Sequence, residues 1–537
     1  MSERNEIRLS DMIEIRAEQQ PDRDVLTFEH YSLDGNATPD EVRTYAQLRD
    51  NGHRIAAYLV ARGMTKGDRF AIMMRNHPEF VEAMIAASIV GAVFVPIDPR
   101  TRGDKLAFML RHAGCRGMVL ADYALASARE VRGQAPSVEW LLALTTGEDQ
   151  APAPTGADLL SEVLAAPATR VAPASVALTD PFQIIYTSGT TGDPKGIVGD
   201  VQRLGRTGWL DKLYGYQPDE RPYTGLSFTH SNAQATALMP ALWGGYRAVF
   251  SRRFTKSKLW DVCRRYGCTS FSVLGGMATA LFAEPPRAND ADNPVRMVIS
   301  GGMPAAIWAA FEQRFGVGIF EIYGASDGGG MAFKAPGVGP VGSIGKPIQG
   351  ILMKVLDENG EECAPGVVGE ICCRAEPESP MTVEVDYFGN PEAARQKVRA
   401  GWNHSGDMGH SDAEGWLYFD YRKGGGIRHN GDFINPGFVE KVVAEDAQVD
   451  DVFVFGVPAA SGAPGEKDVV AAIVPVDQAG FDPVAVFRTC RAGLEPNFVP
   501  SYLLVVDEIP KTASEKPLER LLVEAFAPTL GNVHTER

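Results

Sequence analysis

The chain has 537 residues, 45% of them hydrophobic and 22% charged, with a formal net charge of −16. That length exceeds one ordinary core and predicts roughly two to four structural units. The acidic balance argues against a general nucleic-acid binder, which needs a basic surface to displace counterions, although a local Lys or Arg cluster can still take an anionic ligand.

In chain order, Met1 to Arg16 mixes acids and bases without a long apolar run, unlike a signal peptide. Asp40 to Gly63 reads as a helix, Arg69 to Met74 as a strand and Glu79 to Val90 as a helix. Val93 to Ile97 follows as a strand, Lys105 to Ala113 as a helix and Gly117 to Ala121 as a strand. The longest uncharged apolar run, Ala83 to Ile97, has about 15 residues where a membrane span needs roughly 20. It reads as a buried helix running into a strand, and no membrane span is expected. This rhythm predicts α/β layers built on largely parallel sheet. Thr146 to Pro173, rich in Ala, Pro and Thr, reads as a loop before the apolar strand Phe182 to Ile185.

From about Leu417 the pattern shifts. Lys423-Gly424-Gly425-Gly426 reads as a hinge before a small α+β domain. The expected organisation is a large domain over 1–421, a hinge over 422–426 and a mobile domain over 427–537. The seven cysteines form no CxxC pair. Neither a zinc site nor a disulfide framework is expected, and reduced thiols in the cytoplasm fit best. The sequence does not indicate an oligomeric state.

The strongest chemical signal is Tyr186-Thr187-Ser188-Gly189-Thr190-Thr191-Gly192-Asp193-Pro194-Lys195-Gly196. Glycines let a backbone turn tightly and bring its N–H groups onto phosphate oxygens. Thr187, Ser188, Thr190 and Thr191 add hydroxyl donors, and Lys195 adds a cation. The segment lacks the Gly-Lys-Ser/Thr of a Walker A loop, because Asp193 and Pro194 separate Gly192 from Lys195.

This segment resembles the signature loop of the adenylate-forming superfamily, which includes acyl-CoA synthetases, peptide-synthetase adenylation domains and luciferases. The resemblance continues in order from about Leu9 to Leu522 and is nearest to the branch of AMP-forming acid–CoA ligases. Alone, most of the remaining motifs read as turns; the resemblance gives them roles. Phe228-Thr229-His230-Ser231-Asn232 is similar to the segment between the ATP and acid pockets, which places His230 at the acid. Ser300-Gly301-Gly302-Met303-Pro304 resembles the glycine turn against adenine. Tyr323-Gly324-Ala325-Ser326-Asp327 resembles Tyr-Gly-x-Thr-Glu. There the Tyr packs on adenine, the hydroxyl contacts the α-phosphate and the carboxylate holds Mg²⁺. Asp327 is one methylene shorter than the family's Glu, and Ser326 replaces Thr.

Trp402 to Asp407 resembles Trp-x-x-Thr-Gly-Asp, whose Asp accepts from the ribose hydroxyls. Arg422 matches the Arg of Asp-Arg-x-x-Asp, while Tyr421 replaces the first Asp and glycines cover the family's hinge position. His429 to Ile434 resembles the segment whose glycine, here Gly431, helps form the pantetheine tunnel. Pro510 to Lys516 resembles Pro-x-Thr-x-x-Gly-Lys, which makes Lys516 the adenylation lysine and puts Glu515 in place of the usual glycine.

The resemblance implies ATP, Mg²⁺ and coenzyme A as cofactors and co-substrates, and a small-molecule carboxylic acid as substrate. Two anions, the carboxylate and the α-phosphate, must meet. The site therefore needs cations and hydrogen-bond donors more than a general base. Three alternatives stay open: loading of a separate carrier protein, a luciferase-type oxygenase, and a nucleotide-binding regulator without turnover. The glycines at 275, 276, 301, 302, 328, 329 and 330 suggest room for a bulky or long acid.

Overall fold

The computed structural model describes residues 4–32, 38–147, 155–186, 194–325, 327, 330–379, 383, 385–423, 427–429, 432–434, 436–460, 467–512 and 515–535. It resolves into two compact bodies. One comprises residues 1–273, 292–299 and 385–395, and the other comprises 274–291, 300–384 and 396–537.

The first body contains a seven-stranded sheet. Its order is Asp158–Leu159, Trp140–Leu144, Cys115–Ala121, Arg69–Met73, Val93–Pro96, Pro181–Tyr186 and Gly196–Asp200. Every pairing is parallel except the last, which is antiparallel. The helix Pro78–Val90 is buried along its whole length, as a helix that is apolar all round must be. It packs against Tyr45–Ala61 at close range. A Cβ on Gly52 would lie 2.5 Å from Ile85 Cγ2, so only glycine allows this approach.

The expected helix from Asp40 starts later than its composition suggests. Glu41–Thr44 is a strand, antiparallel to Asp24–Phe28, and the helix runs over Tyr45–Ala61. Thr44 and Gln47 form a reciprocal capping box, which satisfies two N–H groups at the helix start and fixes the boundary. The expected loop at Thr146 to Pro173 also contains a short strand, Asp158–Leu159, and a helix, Leu160–Ala165. Its flanking Ala, Pro and Thr residues masked that apolar turn. The other expected strands and helices appear with ends shifted by a residue or two.

In the second body, Gly318–Gly324, Met331–Lys334 and Lys346–Pro347 pair antiparallel. A further antiparallel sheet joins Ile351–Leu356, Gly369–Ala375, Trp402–Ser411 and Val398–Arg399, with Leu417–Arg422 added to Trp402–Ser411. Beyond residue 427 a mixed four-stranded sheet, Val449–Pro458, Lys467–Pro475, Tyr502–Val505 and Val533–Thr535, packs with the helices Pro436–Ala444 and Pro483–Gly493. This part has its own core, including Ile427, Val443, Ile473 and Phe487. Of the expected hinge, residues 424–426 lie outside the described residues. No described helix is long and apolar enough to cross a membrane. The mixed α/β class and the small α+β C-terminal part agree with the sequence reading.

Candidate active site

In the first body, the strand Pro181–Tyr186 leads into the predicted phosphate loop. Thr187, Ser188, Gly189, Thr190, Thr191 and Gly192 lie outside the described residues, but both ends of the loop are fixed. Tyr186 O–H is 2.7 Å from His112 Nδ1 and 3.3 Å from the Met109 carbonyl that accepts it. At the other end Lys195 places its ammonium 5.1 Å from the Tyr387 ring centroid. Tyr387 is held there because the segment around it bridges Ile197 and exchanges backbone hydrogen bonds with Gly196 and Val198. The ring quadrupole attracts a cation placed over a tyrosine face. His112 and Tyr387 carried no signal in the sequence reading.

His230 caps the short helix Ser231–Ala233 with extended backbone. Its place is set two residues earlier by Phe228, which packs against Phe28, Phe80 and Phe250 at centroid distances of 5.0–6.1 Å. The next five residues, Gln234–Leu238, form a π-helical turn, a departure from α geometry that is common at ligand sites.

The second body gathers most of the other predicted residues. Tyr323 and Asp407 come from different strands, and Tyr323 O–H donates to Asp407 Oδ2 at 2.6 Å. Arg422 lies opposite Asp407 in the strand register and donates to Oδ1 at 2.6 Å. Each carboxylate oxygen keeps a second lone pair, so the clamped Asp407 can still accept from a diol. Burial, followed by the Asp407 charge, pushes the Tyr323 pKa far above its ordinary value, so the phenol stays a donor.

Gly301 ends the strand Met297–Gly301, and Gly302 after it takes φ +91°. Glu321, which the sequence reading missed, fixes this turn. It accepts from Gly302 N–H at 2.6 Å and from Met303 N–H at 3.0 Å. Burial raises its pKa to about 8, against the pull of those two donors. A Cβ on Gly275 would lie 2.3 Å from the Gly302 carbonyl oxygen, and one on Gly330 would lie 2.8 Å from Cys373 Cβ. These two glycines answer to close packing. Gly276 and Gly302 face open space. Gly324 would place a Cβ in ordinary contact, 3.5 Å from the Gly330 carbonyl. Ser326, Gly328 and Gly329 lie outside the described residues, as does Gly431.

Asp327 is mostly buried and pairs with Lys397. Its carboxylate is the hard oxygen donor that Mg²⁺ takes, and one carboxylate with phosphate oxygens and water is an ordinary donor set for that ion. The residues therefore fit the metal, but they bring a lysine with them.

Lys516 sits on a tight hairpin. Thr512 N–H donates to the Lys516 carbonyl at 2.8 Å, Lys516 N–H to Thr512 Oγ1 at 3.2 Å, and Leu518 N–H to the Pro510 carbonyl at 2.7 Å. Lys511 anchors the hairpin to Asp451 at 2.5 Å. Glu515 adopts φ +58°, the left-handed conformation that glycine would take without cost. Lys516 is solvent-accessible yet crowded by protein. That dehydration and the Arg422 charge lower its pKa, while Asp407 and Asp327 pull it back. Lys397, Arg422 and Lys516 thus face Asp327 and Asp407, which leaves one net positive charge.

Beside this group, Glu370, Cys372 and His404 bring donor atoms within 4.8 Å of one another. Lys423 at 3.2 Å and Arg399 at 3.5 Å already compensate Glu370. Burial would raise that carboxyl's pKa, but His404 and Lys423 hold it below the usual range. Glu370 also accepts from Gly406 N–H at 3.1 Å. The cluster is an ion-pair network that steadies the turn before Asp407.

Comparisons with known proteins give the class first. The fold matches that of the o-succinylbenzoate CoA synthetase MenE from Bacillus subtilis, solved with ATP and a magnesium ion. The TM-score is 0.76 at 23% identity, covering 95% of this chain and 98% of that one. Among curated relatives, the medium/long-chain-fatty-acid–CoA ligase FadD17 of Mycobacterium marinum is 31% identical, covering 90% of this chain and 92% of its own. A crotonobetaine/carnitine–CoA ligase of Salmonella paratyphi A is 28% identical, covering 89% and 92%. Residues 13–378 match the AMP-binding enzyme family and residues 439–516 match the AMP-binding enzyme C-terminal domain. The chain belongs to this family.

Proposed function

We infer that the protein is an AMP-forming acid–CoA ligase. It joins a carboxylate to the α-phosphate of ATP, releases pyrophosphate, and passes the acyl group from the adenylate to the thiol of coenzyme A with release of AMP. The observation that carries the reading is the convergence of Lys516, Arg422, Asp407 and Tyr323 in one body, with net positive charge where an anionic reaction centre needs it.

In this reading Asp407 accepts from the ribose hydroxyls while Arg422 and Tyr323 hold its orientation. The Gly301–Gly302 turn and Gly324 lie against the base, and Tyr323 packs on it. Lys195, with the hydroxyls of Thr187, Ser188, Thr190 and Thr191 and the N–H groups of Gly189 and Gly192, takes the departing pyrophosphate. Ser326 donates to the α-phosphate, and Lys516 bridges it and the carboxylate. Asp327 would hold Mg²⁺, which when bound neutralises phosphate charge. His230 lines the acid pocket. Residues 427–537 then turn about 422–426, which removes Lys516 and brings Gly431 to the pantetheine path; glycine lowers the cost of such φ/ψ changes. The acid is expected to be bulky or long, and activity confined to acetate or propionate would contradict this.

Pyrophosphate release across a panel of carboxylic acids, with ATP and Mg²⁺ and with or without coenzyme A, tests the assignment. The expected result is release dependent on one class of acid and a thioester detected by mass. Adenylate without thioester would move the acceptor to a carrier protein, and no acid-dependent release would refute the ligase reading.

A further inference from the structure

We propose that Lys397 is a positioning residue of the phosphate site. In this proposal its ammonium holds the Asp327 carboxylate and supplies positive charge that the site would otherwise take from a divalent cation. The proposal rests on the ligase reading above, because it assigns Asp327 to the nucleotide's metal.

Three observations support it. First, the pair is sequestered: the Lys397 and Asp327 side chains are 10% and 16% exposed. A pair this buried is not a fluctuating surface contact, and removing one partner strands the other charge. Second, both partners are anchored. Lys397 ends the helix Pro391–Lys397, and Val398 and Arg399 immediately pair with Asn403 and Trp402 on the strand that carries Asp407. On the other side, Gly330 takes φ +80°, and a Cβ there would strike Cys373. Gly330, three residues beyond Asp327, is therefore pressed onto the strand Gly369–Ala375. Third, Asp327 lies in the field of Arg422 and Lys516 as well. With Lys397 in place this group already carries one net positive charge, so a polyphosphate meets attraction before any metal arrives. The same ammonium opposes a divalent ion on Asp327.

The test is binding, read without turnover. Mn²⁺ is titrated by electron paramagnetic resonance into the protein with a non-hydrolysable ATP analogue, and the analogue alone is titrated by calorimetry in EDTA. Lys397→Met is expected to weaken metal-free analogue binding and to tighten Mn²⁺, each by on the order of tenfold for loss of one nearby charge. Lys397→Arg is expected to stay near wild type in both. Lys397→Gln, which removes the charge but keeps a hydrogen-bond donor for Asp327, carries the same expectations and serves if Lys397→Met does not fold. Unchanged affinities in Lys397→Met, or in Lys397→Gln where that variant has to serve, would overturn the proposal while leaving the ligase reading intact. A wild-type protein that binds Mn²⁺ with the analogue only as weakly as without it, and releases no pyrophosphate with any acid, would overturn both.

Discussion

Glu321→Gln probes the turn that the sequence assigns to adenine. The Glu321 carboxylate spans two consecutive N–H groups, those of Gly302 and Met303. The groups facing it are Ser300 and Lys334, and burial raises its pKa from 4.5 to about 8. A rise of that size corresponds to about 5 kcal/mol of differential free energy between the two protonation states. The folded value is the higher one. The stabilising contribution is therefore fully present below about pH 4.5 and is lost as pH rises through about 8. Local opening of the turn solvates the carboxylate and restores its ordinary pKa, so opening becomes easier by about 2 kcal/mol between pH 6.5 and 8. Glutamine has no proton to lose and one carbonyl oxygen to offer. One backbone N–H is left without an acceptor, at a cost of about 1–3 kcal/mol that does not vary with pH. Native-state hydrogen exchange of the peptide holding Gly302 and Met303, corrected for intrinsic exchange, measures both effects. The wild type should lose protection as pH rises, while Glu321→Gln should be less protected at neutral pH and flat across the range. Parallel profiles would refute the assignment of this pH dependence to Glu321, and equal protection at every pH would refute the clamp itself.

Substitutions at three further positions probe other parts of the site. Lys516→Ala should lower acid-dependent adenylation by on the order of 10²–10³ yet still convert supplied acyl adenylate and coenzyme A to thioester; equal loss of both half-reactions, measured separately, would contradict the two-state role of Lys516. Tyr323→Phe removes the 2.6 Å donor to Asp407, a charge-assisted bond worth about 1.5–3 kcal/mol, and should raise the KM for ATP about tenfold or more with a smaller change in kcat. Glu515 occupies left-handed backbone, so Glu515→Gly should leave adenylation near wild type while Glu515→Val, β-branched at that φ, should lower both adenylation and the thermal midpoint; equal behaviour of the two variants would show that the hairpin does not depend on this conformation.

The motifs that the sequence reading singled out share a physical cause. The motifs at 186–196, 300–304, 323–327, 402–407 and 510–516 each combine turn residues, hydroxyls or a charge at fixed spacing, and such chemistry is local. The helix start at Tyr45 was equally legible in Thr44-x-x-Gln47, a capping box, which the reading of Asp40 to Gly63 as one helix passed over. Glycine counting misled in part, because an absent side chain marks either open space, as at Gly276, or a neighbour pressed close, as at Gly275 and Gly330.

What stayed hidden are the groups that orient the motifs from elsewhere in the fold. Glu321 is a carboxylate in the apolar strand Gly318–Gly324, and that mismatch was its only signal. Lys397 closes the polar helix Pro391–Lys397, which reads as a solvated face until the fold sets it against Asp327. Tyr323 and Asp407 are 84 positions apart, so no local window shows that one clamps the other. The motifs carry the groups expected to meet the nucleotide, whereas Glu321 and Lys397, which fix neighbouring turns and charges, come from a strand and a helix elsewhere in the fold. Substitutions at Glu321 and Lys397 should therefore change binding geometry and cation dependence, while substitutions at Lys516 change the chemistry. A loss at Lys397 confined to kcat, with metal and nucleotide affinity unmoved, would break that division.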